Sequence, residues 1–315
     1  MDFTSLLPAV AFGLDLALGD PQRWPHPVRL IGAALTHLEP LAATLSPLLK
    51  RLYGLAVALC LCACVYAAVL TLVRLPGLGW LFSIYLAFAG LALGQLLREA
   101  RRVSGLISSG RLDEARRELS YLVSRDTSVL DESGLWRTLA ETLSENFCDG
   151  FVAPFIYLVL GGPPLLWAYK TASTMDSMWG YKTERFRELG WAGARLDDVL
   201  AFVPARVSAF ALLAAGMVMG LDSRRAFRNF RADARTMSSP NAGWPMAAAA
   251  WLCDASMGGE TIYFGAAIQK PEMGPGCKPW TADNVGILYK LVLSSGIGLV
   301  FLATGMVLLG SYVFS

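Results

Sequence analysis

Apolar and polar residues occur along this chain in long blocks. Two blocks, Gly54–Val73 and Leu78–Leu97, are apolar and uncharged, and the short turn Arg74–Gly77 joins them. A bilayer core about 30 Å thick needs about 20 helical residues, and both blocks meet that length. A third block, Leu288–Phe314, carries only Lys290, at the edge where a lysine can reach the headgroups. The pattern therefore predicts helices that span a membrane.

Three further apolar segments are less regular. Phe3–Leu18 fits a retained first span, although Asp15 requires that one of its faces meet protein or water. Phe151–Tyr169 contains the helix-breaking run Gly161–Pro164, so it predicts either a kinked span or a hairpin that enters the membrane and returns. Ala201–Leu221 predicts either a full span or a partial one.

Lysine and arginine concentrate in residues 20–53, 98–149 and 222–289. With six spans, all three regions fall on the cytoplasmic side and the N-terminus lies outside. That topology leaves the polar loop 176–182 on the far side. If both broken segments were re-entrant, every polar motif would face the cytoplasm, since irregular backbone is tolerated at membrane depth where it lines a cavity. The pattern leaves both topologies open.

Composition supports a membrane protein. The 315-residue chain is 55% hydrophobic and 17% charged, whereas soluble domains average about 25% charged residues. The net charge of +2 argues against nucleic acid as a partner, because phosphate binding needs a concentrated basic stripe. We expect an all-α, polytopic integral membrane protein with broken or re-entrant helices. It would form one domain, 1–315, with a polar helical insertion at about 98–149 and a polar loop region at about 222–287.

Four polar motifs lie between the apolar blocks. A charge at the bilayer edge is costly unless it is paired, hydrated or bound, so repeated charges there indicate a membrane-edge active site. The motifs are Gly19-Asp20-Pro21 with His26 and Arg29; Ser144-Glu145-Asn146 with Asp149; Thr174 to Met178, including Asp176, with Lys182; and Asp197-Asp198 continuing to Arg206. We expect these motifs to converge in one water-accessible pocket.

Each motif has a functional and a structural interpretation. Glu141, Glu145 and Asp149 share a helical face, where like charges repel. They predict either a Mg²⁺ site, which needs one or two carboxylates plus phosphates, or a solvated acidic face. Asp198 and Arg206 predict either a metal-assisted phosphate clamp or a salt bridge.

The segment around Asp20, His26 and Arg29 is stiffened by prolines, which fix φ and present these side chains on a preformed loop. It predicts either an anion or metal-phosphate site, or a helix stop with polar residues that reach water. No P-loop and no dinucleotide fingerprint occurs, so any nucleotide would use a different kind of site.

Taken together, these motifs resemble the adenosylcobinamide-phosphate synthase family of cobalamin biosynthesis. The matching strings, in family order, are Gly19-Asp20-Pro21, His26 to Gly32, Ser124 to Thr127, Glu145-Asn146 with Asp149-Gly150, Tyr169-Lys170, Thr174 with Asp176 to Met178, Gly180 to Lys182, Arg195 to Asp198, Pro204 to Arg206, and Ser239 to Pro245. None is specific alone, but so many in order are specific together.

The resemblance implies a membrane ligase that uses ATP and Mg²⁺ to join adenosylcobyric acid to (R)-1-aminopropan-2-ol or its O-phosphate. It implies a multi-pass protein of the cell inner membrane with a cytoplasmic site, in contact with the lipid bilayer and associated with other late enzymes of the pathway. The residues it implies are Asp20, His26 and Lys182 for catalysis, with Asp20 or His26 as base; Arg29, Asn146, Arg206, Ser239 and Asn241 for substrate or phosphate; and Glu145, Asp149, Asp176 and Asp198 for Mg²⁺.

The chain departs from the family pattern at Ser173, Ala201 and Met246, where the family has Asn, Asn and Glu. Two other functions compete with the ligase. A non-catalytic membrane sensor of the ampicillin-resistance signalling type would not need Glu145, Asp149, Asp176 and Asp198 together. A transporter would fit the broken segments, but the chain shows no convincing inverted repeat.

Overall fold

The computed structural model describes residues 3–20, 24–263 and 266–313. Pro21 of the first motif and Phe314 of the last predicted span lie outside the described residues. The helices are α1 Phe3–Leu18, α2 Pro27–Leu38, α3 Pro47–Val73, α4 Gly79–Ala89, α5 Leu93–Ser108, α6 Leu112–Ser120, α7 Glu132–Asn146, α8 Ala153–Trp179, α9 Trp191–Leu200, α10 Phe202–Val218, α11 Ser223–Ala234, α12 Gly243–Leu252 and α13 Ala282–Val313.

Two short helical turns and one hairpin complete the described structure. The 3₁₀ turn Glu39–Ala42 follows α2, and the π-helical turn Phe147–Val152 joins α7 to α8. Strands β1 Met257–Tyr263 and β2 Ala266–Met273 pair antiparallel, with an irregularity between Met257 and Gly259. The predicted all-α class is confirmed, but the region expected to be a polar loop contains α11, α12 and this hairpin.

Several helical stretches are long and apolar enough to cross a membrane. They are Pro47–Val73, Gly79–Ser108, Glu132–Trp179 and Ala282–Leu309, and the bent pair of α9 and α10 would make a fifth. The chain therefore has the helices of a multi-pass membrane protein, as predicted. Helix α1 is apolar but shorter, and its Asp15 is fully buried, so this carboxylate meets protein.

Helix α8 is a hairpin of two helical halves, 153–160 and 163–179. Gly161 and Gly162 leave helical backbone, and Gly162 has a φ of 66°. The rings of Tyr157 and Tyr169 stack with centroids 5.0 Å apart. A straight helix would separate these two residues by about 18 Å, too far for their side chains to stack. The backbone therefore reverses at the Gly-Pro run, which supports the hairpin rather than the kinked span.

The hairpin packs on α4 through its second half. The Trp167 indole donates a hydrogen bond to the Leu86 carbonyl at 2.8 Å. Leu166 occupies the space that a side chain at Gly90 would need. Helix α4 ends at Ala89, and α5 begins only at Leu93. The span predicted over Leu78–Leu97 is confirmed, since it falls almost wholly within the apolar stretch Gly79–Ser108. Its helix has a short interruption after Ala89, where Gly90 accommodates Leu166 of the hairpin.

The contacts divide the chain into two compact units. The first unit comprises Met1–Ala92, Ala153–Ala201 and Ala303–Ser315, and the second comprises Leu93–Val152 and Phe202–Leu302. The polar insertion expected at about 98–149 belongs to the second unit. Both units are built from segments distant in sequence, so each depends on contacts of long range.

A buried ion pair lies inside the second unit. Arg125 Nη2 and Glu141 Oε2 are 2.5 Å apart, and the two side chains are 6% and 2% exposed. Arg125 also donates to Thr138 at 3.1 Å, and the Gly258 N–H donates to Glu141 Oε1 at 2.8 Å. Glu141 thus connects the loop before α7, α7 itself and strand β1. The charge of Glu141 is therefore compensated by Arg125, so this carboxylate of the predicted acidic face needs no metal.

We expect Glu141→Gln to destabilise the protein strongly, because Arg125 would keep a buried charge without its counterion. Losing one partner of a buried pair costs about 3–5 kcal/mol, which corresponds to a fall in Tm of roughly 6–15 °C. Thermal unfolding of the detergent-solubilised protein measures this. The matched control is Arg111→Gln, which breaks the exposed pair with Glu114 and should leave Tm unchanged. Equal shifts in the two variants would contradict the structural role of Glu141.

Candidate functional site

Asp20 and His26 form an acid–imidazole pair in the first unit. His26 is the N-cap of α2, and its Nδ1 accepts a hydrogen bond from the Val28 N–H at 3.3 Å. This assigns the proton of the neutral ring to Nε2, which lies 3.9 Å from Asp20 Oδ1. The Tyr85 hydroxyl donates to the Pro25 carbonyl and so fastens the segment before α2 to α4. The Asp20 side chain is 42% exposed, whereas that of His26 is 15% exposed.

The pKa of His26 lies below its ordinary value of 6.5, chiefly because burial disfavours the charged imidazolium. The Asp20 carboxylate opposes this effect, while Lys170 and Arg29 lower the pKa further. The Trp167 ring packs edge-on against the imidazole at 6.0 Å. His26 is therefore neutral at physiological pH, and the capping bond occupies the lone pair of Nδ1. Of the two predicted bases, Asp20 has the more accessible acceptor atoms.

A second polar group in the first unit contains Asp176, Lys182 and Asp198. Asp198 in α9 lies 3.6 Å from Arg195, and Lys182 is a second cation that acts on it. Asp176 occupies the last turn of α8, and Gly180 makes room for its carboxylate. The Asp198 carboxylate therefore faces two cations, an arrangement that can accept either a metal or a phosphate group.

The second half of α8 connects the two groups. His26 contacts α8 at Trp167, one helical turn before Lys170. Asp176 lies six residues beyond Lys170, about 9 Å along the helix axis. Gly193 of α9 lies against Met175, in the turn that carries Asp176. Within the first unit, the structure thus brings five of the predicted residues onto elements that pack on one helix: Asp20, His26, Arg29, Asp176 and Asp198. The sixth, Lys182, follows α8 directly and is exposed.

In the second unit, Arg206 holds the loop before α12. Its guanidinium donates to Asn241 Oδ1 at 2.9 Å, to the Pro240 carbonyl at 3.2 Å and to the Phe202 carbonyl at 2.8 Å. It also stacks on the rings of Phe202 and Trp244, at 3.5 and 4.4 Å. Arg206 is therefore committed to fixing this loop. A phosphate role for Arg206 stays a prediction.

Ser239 shapes the same loop. Its hydroxyl accepts from the N–H groups of Asn241 and Ala242, at 3.3 and 3.2 Å. Asn241 is 6% exposed. Both predicted substrate-binding side chains thus also have a structural task, which is to close the turn before α12.

The remaining predicted residues lie where α7 passes into the π-helical turn. Asn146 donates to the carbonyl and hydroxyl of Thr142 at 3.0 and 2.9 Å. Glu145 is exposed, and Lys270 of β2 is the cation that acts on it most strongly. Asp149 lies within the π turn, whose wider hydrogen-bond ring rotates it away from the stripe expected for a regular helix. Cys148 of this turn is close enough to interact with Arg206, so the turn and the Arg206 loop are neighbours.

The predicted metal ligands divide between the two units: Glu145 and Asp149 lie in the second, and Asp176 and Asp198 lie in the first. Among the described residues, no three His, Cys, Asp or Glu side chains are grouped as for a metal held by protein alone. Mg²⁺ commonly uses one or two carboxylates together with substrate phosphates. The donors and the adjacent cations therefore fit a metal–phosphate complex, and the ligand assignment stays a prediction.

Three cations at these sites were not among the predicted site residues: Lys170, Arg195 and Lys270. Lys170 and Arg195 lie inside the motif strings, so their proximity to charged motif residues was an available signal. Lys270 lies on a strand that no apolar pattern indicates. The aromatic platform of Arg206, formed with Trp244, depends on a contact across 38 residues and has no local signal.

Comparison with known proteins places these motifs in context. A family model described as CobD/Cbib protein matches residues 8–292. The cobalamin biosynthesis protein CobD of Geobacter metallireducens is 39% identical over 298 residues, 93% of each chain. The CobD protein of Klebsiella pneumoniae is 37% identical over 296 residues, and the CbiB protein of Salmonella typhi is 36% identical over 296 residues; each alignment covers 92% of this chain and 93% of the relative. No solved structure matches the chain significantly.

We expect the environment of His26 to make stability depend on pH. Because its folded pKa is lowered, its contribution is fully present above pH 6.5 and is lost as the pH falls from 6.5 through the lower folded value. His26→Asn keeps an N-cap side chain and removes the titration, so it should flatten the fall of Tm between pH 7 and pH 5. The control is His37→Asn at the exposed second histidine, which should keep the wild-type profile. A wild-type profile in the His26 variant would overturn the assignment.

Proposed function

Because the chain belongs to the CobD/CbiB family of cobalamin biosynthesis proteins, we propose that it is the membrane amide ligase of that pathway. In this proposal it joins the free carboxyl group of adenosylcobyric acid to (R)-1-aminopropan-2-ol or its O-phosphate, with ATP and Mg²⁺. The observation that carries the proposal is the combination, within the first unit, of an exposed carboxylate next to a neutral histidine and of a second carboxylate that faces two cations.

The reaction needs an activated acid and a deprotonated amine. Transfer of the ATP γ-phosphoryl group to the corrinoid carboxylate gives an acyl phosphate and ADP. Attack by the amine forms the amide bond, breaks the C–O bond to phosphate, and releases phosphate and one proton. Catalysis then requires cations near the transferring oxygens, a proton acceptor near the amine, and accurate positioning of both substrates.

We assign the proton acceptor to Asp20. Its carboxylate is accessible and lies 3.9 Å from His26 Nε2. His26 remains neutral, because burial, Lys170 and Arg29 together lower its pKa. Lys170 is the cation that acts most strongly on His26, and in this proposal it holds an anionic group of the incoming amine, which would be the O-phosphate where that is the substrate.

The carboxylate–cation group around Asp198 is assigned to the phosphoryl groups. Asp176 and Asp198 would hold Mg²⁺, and Lys182 and Arg195 would neutralise phosphate oxygens. Bound Mg²⁺ would supply charge stabilisation at those oxygens. In the second unit, Glu145 and Asp149 are the corresponding carboxylates, and Asn146, Ser239, Asn241 and Arg206 are assigned to substrate contacts. In this proposal the chemistry lies on the cytoplasmic side of the inner membrane, an orientation that the concentration of lysine and arginine in the loops supports.

The direct test is incubation of the purified, detergent-solubilised protein with ATP, Mg²⁺, adenosylcobyric acid and either aminopropanol or its phosphate. Mass analysis of the corrinoid should show addition of the amine with loss of water, and ADP and phosphate should appear in equal amounts. A sensor would give neither product. Unchanged corrinoid with both amines, in a preparation shown to be folded, would rule out the ligase.

We expect Asp198→Asn to lower kcat/KM by a factor of about 100 or more, as for the loss of one preorganised charged group at a transferring oxygen. Asp254→Asn is a closely matched control, because Asp254 also faces two cations, Arg225 and Lys278, but lies outside the predicted site. The control should keep wild-type activity. The measurement is the steady-state rate of amide formation of both variants, with Tm as the check that they are folded. Equal activities of the two variants would contradict a role for Asp198 in the site.

A further inference from the structure

Helix α11 of the second unit carries four arginines on one face. Arg224, Arg228, Arg231 and Arg235 follow the spacing i, i+4, i+7, i+11, and all four are exposed. Like charges at this spacing repel one another and destabilise a helix. The stripe extends over eleven residues, about 16 Å along the helix axis. A helix with such a stripe gains stability when an extended anionic partner covers it.

No acid of the described residues forms an ion pair with any of these four arginines. The acid within α11, Asp233, lies on the opposite face, where its Oδ2 accepts from the Trp251 indole at 2.7 Å and from the Gly274 N–H at 2.8 Å. Arg225, off the stripe, pairs with Asp254. The stripe is therefore uncompensated, while the neighbouring charges have partners.

Apolar side chains border the stripe. Phe227 is 48% exposed and lies against Phe210 of α10, with ring centroids 6.5 Å apart. Helix α10 also exposes Met217 and Val218, at 72% and 89%. The guanidinium of Arg231 lies 4.9 Å from the Phe227 ring and 5.7 Å from the Phe210 ring. Cations next to exposed aromatic and aliphatic groups are typical of helices at the boundary between headgroups and acyl chains.

We propose that the arginine stripe of α11 and the adjacent exposed residues of α10 form a binding surface for anionic phospholipid headgroups. The length of the stripe favours a row of headgroups over a single free phosphate, and the apolar border matches acyl chains. Basic clusters on an amphipathic helix bind anionic leaflets in this way. This inference does not depend on the proposed ligase activity.

The test compares two variants that each lose three positive charges. Arg224→Gln/Arg228→Gln/Arg235→Gln removes most of the stripe and keeps Arg231 on its aromatic contacts. Arg102→Gln/Arg111→Gln/Arg117→Gln removes three exposed arginines of α5, α6 and the loop between them. The full-length protein in a mild detergent is titrated with mixed micelles containing phosphatidylglycerol or phosphatidylcholine, and with inorganic phosphate. Affinity and Tm are measured at low and at moderate salt.

Wild type should bind phosphatidylglycerol more tightly than phosphatidylcholine, with a rise in Tm and a loss of affinity as salt increases. Each arginine contributes about fivefold near an anionic surface, so the stripe variant should bind on the order of a hundredfold more weakly. The control variant should bind like wild type. Equal phosphatidylglycerol affinity of the stripe variant and wild type, an equal loss in the control, or equal Tm protection by inorganic phosphate would each overturn the proposal.

Discussion

The packing of the two halves of α8 against each other and against α4 governs the first unit. The backbone leaves helical geometry at Gly161 and Gly162. The halves on either side are held by close contacts: Tyr157 stacks on Tyr169, and the Trp167 indole donates to α4. The same contacts fix the orientation of the second half of α8. That half carries Lys170 and Asp176, so the geometry of this part of the candidate site follows from the way the two halves pack.

The second unit depends on a different use of charge. Glu141 and Glu145 are one helical turn apart, yet Glu141 is buried against Arg125 and the Gly258 N–H, whereas Glu145 is exposed. A buried pair adds little net stability, but it is costly to break. The pair therefore acts chiefly to specify how α7, its preceding loop and the β-hairpin meet. Glu141 is thus fixed inside the protein, whereas the Glu145 carboxylate, one turn later, is accessible.

Much of this architecture was predictable from local pattern, and the limits have physical causes. Apolar blocks define the long helices, and the Gly-Pro run marks the break in α8. Pattern alone could not choose between a kink and a hairpin, since that depends on Tyr157 reaching Tyr169. The interruption at Gly90 follows from Leu166, a neighbour 76 positions away. At the candidate site, the motif residues Asp20 and His26 were predictable, but the capping bond that makes His26 a donor was not.

The arginines of the second unit differ in how their charge is compensated. Arg125 and Arg206 lie inside protein contacts, where carboxylate, carbonyl, amide and ring partners compensate the cost of desolvation. Helix α11 does the reverse: it aligns four arginines outward and turns its one acid inward. The whole chain has a net charge of only +2, so placing four mutually repelling arginines on one helix does not serve its solubility. An anionic surface would offset this repulsion, and for a protein with several helices long enough to span a membrane the headgroups of the bilayer are such a surface.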